Sequence, residues 1–515
     1  MSTLTDILAE AGNRARDAAQ SLVGSAQNLA EALTGRPLRL GVTGLSGAGK
    51  SVFVTALVQH LTSISERGLN GKNPLPVFRV HAEGRLLRGF LVPQPDDAVP
   101  RFAYEEHLAA LTGPGGKIEN REWPGSTRRV SELRLVLEFE RAVGLRKGPA
   151  SLAIDIVDYP GEWLLDLPLL EKSFAQWSRE TLEAAAAPAR APLAADWRQC
   201  VTAIDPAGKF DEDVARRAAE LFKTYLSACR REPISASALP PGRFLMPGDH
   251  EGSPLLTFSP LPLAGDAIVP PGSFAGMMER RYEAYKAHVV KPFFRDHFAR
   301  LDRQIVLVDM LSALNAGPAA LRDLETALVE VMQAFRTGRN TILSSLLRPK
   351  IDKILFATTK ADHLNHVSHD RLEAILRLLT VRAISRAEGL GASVDVIALA
   401  AVRATKEVKV AAKSGIFGAN TELPAVVGIP MKGERLGADV FDGIAEAAIF
   451  PGELPADPEA IFSAPAEPME TLASDYRFLR FRPPIRTRDA AGQFLALPHI
   501  RLDRALQFLL GDRLK

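Results

Sequence analysis

The stretch "GLSGAGKS", residues 44–51, restricts this chain more than any other. It lies between a short apolar run, "LRLGVT", and a longer amphipathic one, "VFVTALVQHL". A strand, a glycine-rich loop and a helix in that order form an anion cradle. Gly44 and Gly49 let the backbone adopt dihedrals that aim successive N–H groups at a phosphate. Ser46, Gly47, Ala48 and Val52 are the neighbouring positions expected to line it. Lys50 reaches toward β- and γ-phosphates, Ser51 offers a hydroxyl to Mg²⁺, and the following helix presents its positive end. A plain strand-to-helix turn needs no lysine at that place.

Further apolar runs follow: 130–140, 151–161, 303–311, 352–362 and 394–402. The last three are nearly continuous, as strands covered on both faces are. Between strands lie helical patterns, such as Leu321, Leu324, Leu328, Val331 and Phe335. Such alternation predicts an α/β fold with a mostly parallel sheet. The runs 130–140 and 151–161 are joined by too few residues for a parallel crossover, so one antiparallel strand is expected.

Three strand ends carry the remaining chemistry. "DIVDYPG" places Asp158 and Gly161 as D-x-x-G, where an aspartate can hold a metal-bound water and a glycine can approach a γ-phosphate. An Asp-Pro-Gly turn is the plainer alternative. Asp155, on the same strand, is not expected at its tip. "TTKAD" places Thr359, Lys360 and Asp362 as T-K-x-D, a guanine-reading pattern: the aspartate accepts from the base edge and the lysine lies over the ring. "ALAAVRAT" ends the next strand, where the backbone of Ala401 or Val402 can face the guanine O6. Thr127, just before the second run, is the first-switch candidate for Mg²⁺, with Ser126 as its substitute. Phosphate loop, Thr, antiparallel pair, D-x-x-G, insertion, T-K-x-D and A-x-x-R is the order of a Ras-like P-loop G domain.

Composition narrows the partners. With 63 basic and 61 acidic side chains the net charge is +2, which argues against a specific nucleic-acid partner. Cys200 and Cys229 have neither disulfide-framework nor metal-site spacing, which fits a reducing, cytoplasmic setting. Segment 1–36 reads as an Ala-rich helix, neither a signal peptide nor a membrane span, so any membrane association is peripheral and through a partner. The expected division is a first G-domain part at 37–161, a mainly helical insertion at 162–300, a second G-domain part at 301–405 and a mixed C-terminal region at 406–515 packing on the G domain. The chain closes in a helix stopped by Gly511.

"GVTGLSGAGKSVF", "REWPGSTRRVSEL", "DIVDYPGEWLLDLPLL", "TTKADHL" and "PHIRLDRALQFLLGD" together resemble the YcjX-like family of bacterial P-loop proteins, over nearly the whole chain. The resemblance implies GTP or GDP binding, despite the ATPase label such proteins often carry, and a link to stress-induced operons. Thr359 departs from the asparagine commoner in G domains, and its hydroxyl is expected to bridge to the phosphate loop.

Glu162 stands where many G domains place the glutamine that orients the attacking water. A carboxylate beside a γ-phosphate predicts a slow GTPase that needs a protein activator or effector. Lys50, Thr127, Gly161 and Glu162 are thus the candidate catalytic positions; Ser51, Thr127 and Asp158 are the candidate metal ligands. His363, His366 and His369 fan out at helical spacing and read as surface or capping residues, with Ser368 capping the next helix. The competing reading is an ATP-using metabolic or mechanochemical NTPase whose insertion houses a second substrate. No catalytic cluster in 162–300 supports it.

Overall fold

The computed structural model describes residues 36–44, 47–63, 74–113, 118–125, 127–142, 148–230, 239–263, 270, 272–334, 351–389, 391–414, 419–462, 476–488, 492 and 494–515. The helix expected before residue 36, and both Ser46 and Ser126, lie outside them.

Among the described residues seven strands make the central sheet: β1 (Leu38–Gly44), β2 (Leu86–Val92), β3 (Ser131–Arg141), β4 (Gly148–Asp158), β5 (Arg303–Val308), β6 (Lys353–Thr358) and β7 (Ser393–Ala398). Their order is β2-β3-β4-β1-β5-β6-β7. β3 alone runs against its neighbours; all other pairings are parallel. β2 has no clear signal in the sequence, because Arg88 and Gly89 interrupt its apolar run. The glycine has a packing reason: a Cβ there would stand 2.3 Å from the carbonyl oxygen of Leu61.

Side chains of a strand point alternately to the two faces, and the sheet is buried on both. Ile305 and Leu307 join a core with the helices Lys50–Thr62 and Leu502–Leu510. Val306 and Val308 join the opposite core, with the helices Pro318–Ala334 and His369–Gly389. Parallel strands therefore end together on one edge of a three-layer sandwich, where ligands of open α/β sheets bind.

Between β4 and β5 the chain forms a 3₁₀ segment, Gly161–Glu171, and the helices Phe174–Ala185, Ala195–Thr202, Glu212–Cys229 and Phe274–Tyr285, among shorter turns. Ser173 and Asp211 cap two of these helices by accepting from backbone N–H groups one turn on. Trp177 stacks on Tyr282 with centroids 5.0 Å apart, and Trp197 on Tyr225 at 5.3 Å. Their cluster is continuous with the sheet core.

After β7, β8 (Lys406–Ser414), β9 (Ala419–Gly428) and the short strand Ala447–Ile449 make a small antiparallel sheet. The last helix does not end on a left-handed glycine: Gly511 has φ −59°, and a Cβ there would come 2.6 Å from the carbonyl of Gln507. Close approach, not backbone handedness, is what the glycine serves. No helix among the described residues is long and apolar enough to cross a membrane.

Candidate nucleotide-binding site

Gly44 ends β1 at φ 156°, and any Cβ would meet the Leu307 carbonyl at 2.4 Å. Gly49, at φ 82°, starts the helix Lys50–Thr62. Lys50 is buried and donates from Nζ to the Gly44 carbonyl at 2.7 Å.

Three oxygen-bearing side chains converge beside it. Ser51 Oγ lies 3.4 Å from Thr127 Oγ1, which donates to Asp158 Oδ2 at 2.7 Å. Burial pushes the Asp158 carboxyl up to about 6, while the Lys50 charge and the Thr127 bond pull it down. Its Oδ1 is buried with no hydrogen-bond partner among the described residues. One carboxylate and two hydroxyls suit a hard cation such as Mg²⁺, and the orphaned oxygen leaves capacity for it. Asp155 is mid-strand and spoken for: Arg134 clasps it at 2.6 and 2.9 Å.

The base end is built from the ends of β6 and β7. Lys360 holds φ 60°, uncommon for a side chain with a Cβ, and its Nζ reaches Asp309 Oδ2 at 2.5 Å. Asp309 also accepts from Ser312, capping the helix Met310–Ala316. Burial pushes this carboxyl up, but the Lys360 ammonium and the Ser312 bonds outweigh burial and hold it below its usual range. Asp362, also buried, accepts from the Ala404 N–H at 2.7 Å. Ala400 and Arg403 spend their N–H groups on Ile500 and Pro498 carbonyls, which leaves Ala401 and Val402 lining the site between them. The Thr359 hydroxyl departs from expectation: among the described residues it faces the Val308 carbonyl at 3.5 Å, not the phosphate loop.

A cavity of about 340 Å³ joins the two ends, touching Gly47, Gly49, Lys50, Ser51, Val52, Thr127, Thr359, Lys360, Asp362, Ala401 and Val402. A larger one, about 690 Å³, meets it at Gly47 and Lys360 and extends past Gly44, Ala48 and Gly161. The profile of the YcjX-like family, DUF463, matches residues 38–514. The chain belongs to the YcjX-like family. It is 39% identical over 490 residues to the Ras-like GTPase YcjX of Escherichia coli (strain K12), covering 93% of this chain and 96% of that one. The Shewanella oneidensis protein of the same name is 36% identical over 504 residues, covering 95% and 97%.

Other features of this family member are not set by local sequence. Glu162 does not line either cavity. It is buried against the insertion, its Oε1 3.4 Å from Arg230 Nη1 at the end of the helix Glu212–Cys229. The three histidines are not a surface group: His363 and His369 are buried, and only His366 is exposed, beside Glu407. A 3₁₀ turn at 366–368, capped by Asn365, replaces the uniform helix that the spacing implied. Among the described residues no cluster of three His, Cys, Asp or Glu side chains could hold a metal ion. Trp123, Asp309, Met431, Arg480 and Phe481 all line the site without any local motif to announce them.

Proposed function

We propose that this YcjX-like protein binds GTP and GDP with Mg²⁺ and hydrolyses GTP slowly, as a cytoplasmic, regulatory, stress-linked GTPase. The observation that carries the reading is the buried Asp362 carboxylate opening onto the same cavity as Lys50 and Ser51. Its oxygens can accept from N1–H and the exocyclic N2–H₂ of guanine. Adenine offers neither donor there, and the carboxylate would face a lone pair. Charge-assisted bonds contribute about 1.5–3 kcal/mol each, so a GTP preference of a hundredfold or more over ATP is expected.

Lys50 would donate to the β- and γ-phosphates, and Gly47 and Gly49 would bring backbone N–H groups to them. Ser51, Thr127 and Asp158 would hold Mg²⁺, which when bound neutralises charge on the phosphate oxygens. Water attacks the γ-phosphorus, the bond to the β–γ bridging oxygen breaks, and GDP and phosphate leave. Glu162, engaged with Arg230, is not positioned to orient that water, so intrinsic turnover should stay below roughly one per minute. A protein activator or effector would complete the site.

The test is nucleotide titration of the intact chain and of Asp362→Asn. GTP should bind far better than ATP, and the Asn variant should lose GTP and gain XTP, whose O2 carbonyl accepts from the new amide. Equal affinity for ATP and GTP, or no response to the substitution, would make the adenine reading correct.

A further inference from the structure

The G-domain motifs leave one side of the nucleotide cavity to be closed by chain that lies far beyond them. Met431, Arg480 and Phe481 line it from the C-terminal region. Phe481 is 2% exposed, and its ring meets the ring of His363 edge-on, with centroids 5.2 Å apart. His363 directly follows Asp362, so this aromatic contact sits at the base end of the cavity and not at the phosphate loop.

The strand-like segment around Phe481 is held from two sides. On one, Phe481 pairs with Pro430 and Arg482 N–H donates to the Ile429 carbonyl at 2.8 Å. On the other, the indole N–H of Trp123 donates to the Phe481 carbonyl at 2.6 Å. Arg482 donates to the Glu119 carbonyl at 2.7 Å, and Arg121 to the Pro483 carbonyl. Trp123 lies four residues before Thr127 and lines the same cavity. Room for the ring is made by Gly428, where a Cβ would come 2.8 Å from Phe481 Cδ1.

A purine offers its edge to hydrogen bonds and its two faces to apolar or cationic surface. Asp362 takes the edge and the Lys360 stem is placed for one face. Among the cavity's walls, the apolar residues Ala401 and Val402 are small or branched, and a flat partner is needed for the other face. We infer that Phe481 supplies the aromatic wall of the base subsite, with Trp123 as the residue that positions it, so that the C-terminal region is part of the nucleotide site. This rests on the guanine-nucleotide reading above. It also means that a bound base is wedged between two segments tied to each other, and that exchange requires parting them.

The experiment compares GDP with ribose 5-diphosphate, which keeps the sugar and both phosphates but lacks the base. Both are titrated against the wild type and against Phe481→Leu, which keeps most of the apolar volume in the small buried cluster that Phe481 forms with Val426, Ile449 and Leu479. Stacking of a base on an aromatic ring makes the expected loss about tenfold for GDP, mainly through faster dissociation, with no change for ribose 5-diphosphate. Phe481→Tyr should bind GDP as the wild type does. Should the Leu variant lose its fold, Phe481→Trp gives an independent readout: its indole emission should fall with GDP and not with ribose 5-diphosphate, relative to the same titrations of the wild type. An equal loss for both ligands would assign Phe481 a purely structural role, and unchanged GDP affinity would remove it from the site; either overturns the inference. Failure of the wild type to bind GDP at all would instead sink the nucleotide reading itself.

Discussion

The insertion and the C-terminal sheet are both additions to one α/β core, yet they are attached by different physics. The insertion has no boundary with the sheet: Val157, Trp177, Phe258 and Phe356 belong to one continuous buried cluster. Its grip on the segment after D-x-x-G is also polar and buried. Asp166 accepts from Gly242 N–H at 2.6 Å, from Arg243 N–H at 3.3 Å and from Tyr285 OH at 2.6 Å. The Arg243 guanidinium lies 3.2 Å from the Trp163 ring centroid. Among the described residues the C-terminal sheet has only Val426, Ile449, Leu479 and Phe481 as a buried core of its own, with Leu454 and Ile461 reaching into the large one. It meets the segment just before Thr127 through the Trp123, Arg121 and Arg482 bonds to backbone carbonyls. Buried area resists separation in proportion to its extent, whereas hydrogen bonds to backbone exchange with water at a net cost of about 1 kcal/mol each. The insertion should therefore move with the residues after Gly161 as one body, and the C-terminal sheet should be the part able to part from the site.

The fusion of insertion and sheet is tested most severely at Trp177. Replacing it by Ala removes a ring stacked against Tyr282 and should cost about 3–5 kcal/mol. Because the cluster is shared, the loss should appear as one transition that takes the sheet with it. Two separate transitions in a denaturant melt followed by far-UV circular dichroism and by nucleotide binding would show that the insertion is an independent unit.

Asp166 gives a pH test of the same body. Burial pushes its carboxyl up to about 6, against the pull of the Tyr285 bond, the Gly242 and Arg243 N–H groups and the Arg243 charge. A folded state that binds a proton more tightly than the unfolded chain gains stability as pH falls. The penalty for the charged form is absent below about 4, grows through the window up to 6, and is complete above it. Relative to Asp166→Asn, the wild type should gain stability between pH 6 and pH 4, by roughly 3 kcal/mol at most. Urea melts of both proteins across that range measure it; parallel curves would mean that the carboxyl is not held in the low-dielectric clamp.

The smallest effect should come from Leu479→Ala, which trims the separate core of the C-terminal sheet and should cost about 2 kcal/mol. Its readout is local. Amide exchange should quicken across Ala419–Gly428 while the helix Lys50–Thr62 keeps its protection. Equal quickening in both would erase the distinction between fused and clipped additions.

Much of the site could be read locally. The phosphate loop, D-x-x-G and T-K-x-D each use neighbouring residues at the end of a strand, where backbone geometry fixes the spacing. For that reason Lys50, Ser51, Thr127, Asp158, Lys360 and Asp362 are candidates on sequence alone; the structure brings five of them to one cavity, and Asp158 adjoins it through its bond from Thr127. β2 is not legible in the sequence because a strand that is half exposed and broken by Arg88 and Gly89 has no clean alternation. The spacing of the histidines implies rings fanned around a helix at the surface, whereas a 3₁₀ turn and the packing of His363 against Phe481 decide their burial.

By itself, then, the sequence determined the class of fold, the order of the motifs and the anion cradle, because these depend on dihedral freedom, periodicity and charge within a few residues. Only the tertiary structure decided that Arg230 engages Glu162, that Asp309 holds Lys360, and that Phe481 returns to wall the cavity. Those pairs are separated by tens to hundreds of residues, and their meeting is set by how helices and strands fill the two cores, for which no spacing rule exists along the chain.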